Sequence, residues 1–267
     1  MTLDAIPPHS PLYRYPPWAT LAIAAGILAG RRRSLARDAR RLALGISSLR
    51  ITGDPQSLLS DSGRALGARG LLVTFNHFSR PGFRVWWAAI AIASVIPGEM
   101  HWVMSTAWTY HDWLRSHLFT PVSTWLFRRT ARVYGFTSMP PMPPQAWEVS
   151  ARANAVREVL TWARTEARPV IVLAPEGMDS PPGRLMVPPA GVGRFIEKLA
   201  HLNLAILPVG AYEGDGALCL QFGSPYLLQA GTSLDRHARD REVGLIVMQR
   251  IAECLPPHLR IFAQTRT

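Results

Sequence analysis

Two short polar signatures in this chain follow apolar runs. Asn76-His77 comes directly after Leu71–Phe75 (LLVTF), and Pro175-Glu176-Gly177 follows Val170–Ala174 (VIVLA) without a break. An imidazole and a carboxylate are suited to moving protons, because burial and neighbouring groups can bring their pKa values close to neutrality. Neither His77 nor Glu176 falls on an apolar helix face, where a packing role would be expected. The histidines at 101, 111, 117, 201 and 258 have no such paired motif and read as structural.

These two signatures need strands to hold them. Continuous apolar runs such as 71–75, 170–174 and Leu204–Val209 (LAILPV) are typical of parallel strands buried on both faces. Between them lie an apolar helical segment at 84–96, a helical period at Val149, Ala153, Val156 and Leu160, and an amphipathic stretch at 193–202. A short strand is expected at 47–53, a last helix at 239–255 ending before Pro256-Pro257, and an edge strand in the tail at 259–263. This alternation predicts an α/β fold: a single domain with a mostly parallel central sheet flanked by helices, preceded by an N-terminal helical segment. The division expected is residues 1–45 as an apolar and basic membrane-association segment and 46–267 as the α/β domain. In such sheets ligands bind beyond the carboxyl ends of the strands, where both signatures fall.

Taken in order, NHFSRPG, APEGMDS and ILPVG resemble the first, third and fourth blocks of the glycerol-phosphate and 1-acylglycerol-3-phosphate acyltransferase superfamily, a likeness that runs from about residue 51 to 261. The resemblance implies transfer of a fatty acyl group from an acyl thioester to a hydroxyl of a lysophospholipid or glycerol-phosphate-like acceptor. It makes His77 the general base and gives Glu176, with the backbone at Gly177, the positioning of the acceptor. Asn76, Arg80 and Pro175 belong to the same blocks and are expected at the substrate. Acyl-CoA or acyl carrier protein would be the co-substrate, with no bound cofactor and no metal. Backbone N–H groups at the start of the helix after His77 would meet the developing oxyanion.

The chain departs from the family pattern at several points. Gly82 stands where the N-H-x-x-x-x-D block has its aspartate, and Met178-Asp179 where the third block has threonine and arginine. Asp112, Asp179, Glu99 or a backbone carbonyl would then have to orient His77; otherwise the scaffold binds lipid without turning it over. Arg129, Arg184 and Arg194 are the guanidinium candidates for a phosphate, since each offers bidentate donors. Trp86, Trp87, Trp102, Trp108, Trp113 and Trp125 crowd the stretch after the first block and could line an acyl channel.

Composition narrows the partners. A net charge of +11 with 48% hydrophobic residues points to an anionic partner and a sizeable core. Lys198 is the only lysine, and no nucleic-acid recognition motif is present. Two cysteines, Cys219 and Cys254, are too few for a disulfide framework and suggest a reducing compartment. The apolar run Trp18–Gly30 is followed by Arg31, Arg32 and Arg33. As a helix it would reach roughly 20 Å, short of the ~30 Å hydrocarbon core, so it reads as an interfacial or half-inserted helix that makes the protein peripheral or monotopic on the cytoplasmic face of a membrane, with membrane lipids as partners.

Overall fold

The computed structural model describes residues 10–57, 66–106, 113–141, 145–178, 184–229 and 235–262. Among these, a seven-stranded sheet is built from β1 (Leu49–Thr52), β2 (Gly70–Phe75), β3 (His101–Ser105), β4 (Thr137–Met139), β5 (Val170–Leu173), β6 (Leu204–Gly214) and β7 (Ala217–Phe222). Their spatial order is β1-β7-β6-β2-β5-β3-β4. Strands β6, β2, β5, β3 and β4 run parallel, β7 is antiparallel to β6, and β1 is parallel to β7. The expected α/β class with a mostly parallel sheet is therefore what forms.

Among the described residues, seven helices of eight or more residues cover it: α1 (Pro17–Leu28), α2 (Leu35–Ala43), α3 (Trp86–Val95), α4 (Trp113–Tyr134), α5 (Val149–Thr165), α6 (Val192–Ala200) and α7 (Arg236–Glu253). Side chains alternate across a strand, so β2 feeds two cores at once. Leu71, Val73 and Phe75 pack with Trp87, Ala88 and Ile92 of α3 and Ala39 of α2 on one face. Leu72 packs with Val159 of α5, Ile196 of α6 and Val247 of α7 on the other. Burial on both faces explains why the strands read as unbroken apolar runs.

Two expectations about elements are corrected. The tail at 259–263 is no edge strand: Pro257–Leu259 forms one 3₁₀ turn, and Phe262 makes only an isolated bridge to Leu185. Pro256 and Pro257 fix φ in succession and lack the N–H donors a ladder needs. The strand expected to end at Val209 continues to Gly214, because β7 returns as a hairpin and pairs with residues 209–214.

The N-terminal segment is built into this fold. Tyr13 bridges Ile46, and α2 lies against α3 with Ala36 and Ala39 buried. Ser34 caps α2 by accepting from Arg37 N–H.

Candidate functional site

Strands β2 and β5 are neighbours in the centre of the sheet, so the residues after their carboxyl ends emerge side by side. The chain leaves β2 toward α3 on one face and leaves β5 toward α6 on the other. Two adjacent connections departing to opposite faces mark the switch point of the sheet, the place where parallel sheets bind ligands.

Asn76 is buried at the end of β2, and its amide does the work of one more backbone unit. Its Nδ2 donates to Ala211 O at 2.9 Å, and its Oδ1 accepts from Ala211 N at 2.7 Å. This extends the β2–β6 ladder beyond its last pair, Phe75 with Val209. Asn76 thus holds strand β6 instead of presenting its amide to a substrate.

Glu176 performs a matching task from β5. The residue is completely buried, Oε2 accepts from the backbone N–H of His77, and Oε1 accepts from Met186 N at 2.7 Å. Burial raises its pKa, opposed by these two N–H donors and by the charge of His77. Both oxygens are committed to the protein's own backbone, so Glu176 is a positioning residue. It pins His77 to the neighbouring strand end and ties down the segment that returns at Met186. His77 itself is partly exposed, with Nδ1 buried.

The loop after His77 is fixed by a turn and an ion pair. Phe83 N donates to Arg80 O at 3.1 Å, with Pro81 and a left-handed Gly82 (φ +79°) at the central positions, the pattern of a type II turn. Gly82, at the position where the sequence resemblance would place an aspartate, thus sits in the left-handed conformation that favours glycine. Arg80 does not face a substrate, as its block suggested. Its Nε and Nη2 reach Glu213 of β6 at 2.5 and 2.8 Å, and Nη1 donates to Pro81 O at 2.6 Å. Tyr13 Oη donates to the same carboxylate at 2.6 Å, and burial, then this bond, raises the phenol pKa. Tyr13, Phe78, Phe83 and Trp87 close around the pair through ring contacts of 5.1–5.5 Å.

Of the remaining candidates, Pro175 is buried under the site and Gly177 is exposed in a left-handed turn (φ +67°) whose N–H donates to Ala174 O. Arg184 is exposed beside the Met186 segment, within the site's neighbourhood. The N-terminus of α6 beneath Arg194 is filled by Asp240, which accepts from Gly191 N and Arg194 N. Arg129 lies on α4 and caps α1, donating to Ile27 O and Leu28 O at 2.8 and 2.6 Å, far in role from a phosphate contact. Helix α3 starts nine residues after His77, and the N–H groups of His77 and Gly177 are both taken, so the expected helix-start oxyanion donors are not at the imidazole.

Glu99 lies just before β3 begins, at the amino end of the sheet, and so cannot orient His77 at the carboxyl end. Asp112 and Asp179 lie outside the described residues. Among the described residues, Glu176 brings a carboxylate to the backbone of His77. Among the tryptophans, Trp87 and Trp102 are core, the latter edge-on to Phe75 at 5.9 Å; Trp125 is exposed, and Trp108 and the side chain of Trp113 are outside the described set. Tyr13, Ala211, Glu213 and Met186 were not singled out in the sequence. Three contribute backbone or a pairing that no spacing announces, and only an acid on an apolar strand, Glu213, gives a faint signal.

No family model and no curated protein matches this chain. Among solved structures it is similar to the 1-acyl-sn-glycerophosphate acyltransferase PlsC from Thermotoga maritima, at 16% identity and a TM-score of 0.48, over 82% of this chain and 78% of that one. A likeness of this size says nothing about activity.

Proposed function

We propose that this site transfers a fatty acyl group from an acyl thioester to the hydroxyl of a lysophospholipid or glycerol-phosphate-like acceptor. The observation that carries it is the juxtaposition of His77 and Glu176 at adjacent strand ends, with His77 anchored through its backbone by a buried carboxylate from the next strand. Anchoring of this kind reduces the freedom of an imidazole that must meet a hydroxyl within hydrogen-bond reach.

In the reaction, the acceptor O–H gives its proton to His77 while its oxygen attacks the thioester carbonyl carbon. The tetrahedral oxyanion then collapses, the carbon–sulfur bond breaks, and the thiolate takes the proton back from the imidazolium. The products are an oxygen ester and a free thiol. Either acyl-CoA or acyl carrier protein supplies the thioester, and the protein acts peripherally at a cytoplasm-facing membrane.

Acyl transfer from labelled acyl-CoA to a lysophospholipid tests this in the full chain. His77→Ala is expected to lower turnover by about 10²–10⁴; unchanged turnover refutes the base. A second reading, lipid binding without turnover, draws on Gly82, a glycine in a left-handed turn at the position where the resemblance would place an aspartate. Saturable acyl-CoA binding with no ester product in any acceptor screen would favour it.

A further inference from the structure

A helix that is apolar on every side is normally buried in a core or in lipid. Helix α1 (PWATLAIAAGIL) has Thr20 as its only polar side chain, yet only Ile23 and Gly26 are buried. Trp18, Leu21 and Leu28 share one face at helical spacing. Beside α1, helix α4 exposes Phe119, Val122 and Trp125, again three residues apart. The six side chains are between 51% and 82% exposed. Together they present several hundred Å² of apolar surface, at or above the roughly 300–600 Å² of the largest patch on an ordinary monomer.

The two helices form one rigid surface. Arg129 of α4 caps the end of α1, and its guanidinium lies 5.9 Å from the Trp125 ring centroid. Just beyond, Arg33 N donates to Val133 O at 3.1 Å, while the Arg33 side chain pairs with buried Asp38, which also accepts from Tyr134 Oη at 2.8 Å. Exposed arginines lie on or next to the same elements: Arg31 and Arg32 directly after α1, Arg40 and Arg41 at the end of α2, Arg128 and Arg132 on α4. Asp38 is the only acid between Ser10 and Ile46, and α4 has none.

We propose that α1 and α4 jointly dock the protein on an anionic phospholipid bilayer. The arginines supply charge complementary to anionic headgroups, whereas a second copy on the same face would set arginine against arginine. No helix among the described residues is long and apolar enough to cross a membrane, and α1 would reach roughly 18 Å, so both helices lie in the interface plane. Tyr15, just before α1, stacks on Trp87 at 4.7 Å and accepts from Trp86 Nε1 at 2.5 Å, where α3 starts after the His77 loop. Helix α4 likewise begins after the carboxyl end of β3. Both docking helices thus start at the end of the sheet that carries His77, which sets that end toward the lipid. The docking stands whether or not the site transfers acyl groups.

Flotation of the full chain with vesicles of phosphatidylglycerol mixed with phosphatidylcholine, against phosphatidylcholine alone, reads the proposal directly. The triple variant Phe119→Ser, Val122→Ser, Trp125→Ser leaves α1 untouched and is expected to weaken binding to the anionic vesicles about tenfold or more. Unchanged binding overturns the role of α4, as does a loss confined to Trp18→Ser, Leu21→Ser. Light scattering that shows a dimer broken by the triple variant overturns the lipid assignment in favour of a second copy. Should the triple variant fail to fold by circular dichroism, Trp125→Phe is compared with the native chain on vesicles brominated in the acyl chains. Quenching of tryptophan emission that falls with Trp125→Phe supports the surface, and quenching that does not fall sinks it.

Discussion

Two histidines stand at opposite ends of the same sheet and have been given opposite fates. His77 follows the carboxyl end of β2, partly exposed, with its backbone held by Glu176. His101 opens β3 at the amino end, buried, stacked on Trp162 at 4.4 Å, its Nε2 2.9 Å from Thr137 Oγ1. Burial lowers the pKa of His101 to about 4, so that ring is a neutral packing element at physiological pH. At the amino end helices and β4 close over the strand, whereas at the carboxyl end adjacent connections part to opposite faces. The same side chain is a buried wedge in one place and, in the other, a partly exposed imidazole proposed as the base.

This contrast can be broken at several strengths. The largest effect is expected at the carboxyl end: His77→Ala should cost acyl transfer the factor given above while leaving the urea midpoint nearly unmoved, because the ring is at a rim. A large loss of stability there would make the two histidines alike. Next comes Glu213→Ala, which strands Arg80 and Tyr13; removing one partner of a buried pair costs about 3–5 kcal/mol by urea unfolding. The double change Arg80→Met, Glu213→Met should cost less than Glu213→Ala alone, since no uncompensated charge remains.

At the amino end, His101→Ala should cost about 2–4 kcal/mol through a lost stack and a cavity, read by the same unfolding curves. The acid dependence carries a definite sign. With a folded pKa near 4 against 6.5, the contribution of neutral His101 is complete above pH 6.5 and is lost as pH falls through about 4. The loss amounts to about 3 kcal/mol. His101→Phe should flatten this part of the pH profile, and a profile that keeps its slope would assign the acid sensitivity elsewhere. The smallest effect is expected for Gly82→Asp, about 1–2 kcal/mol of destabilisation in thermal melts, because φ is +79° there. A rise in turnover with that variant would show that the turn yields to an aspartate and that an acid at this position assists His77.

The apolar runs at 71–75, 170–174 and 204–209 were legible as parallel strands because burial on both faces leaves no polar alternation. Asn76-His77 and Pro175-Glu176-Gly177 were legible as strand-end signatures because they break those runs abruptly. Strand β3 was not legible: HWVMS carries a buried histidine and mixed burial, and its pairing with β5 rests on only two residues of register. The roles of Asn76, Arg80 and Arg129 were hidden for another reason. Each spends its polar atoms on partners 101 to 135 residues away, at Ala211, Glu213, Ile27 and Leu28.

By itself, then, the order of residues determined four of the seven strands, most of the helices and the fold class, and it marked the strand ends at Asn76-His77 and Pro175-Glu176-Gly177, since local burial and punctuation are written in composition and period. Only the tertiary structure decided that Glu176 serves the backbone of His77, that Arg80 is locked to Glu213, and that α4 joins α1 in one exposed apolar face. Those outcomes depend on which distant elements become neighbours in space, and long-range pairing leaves no periodic trace along a chain.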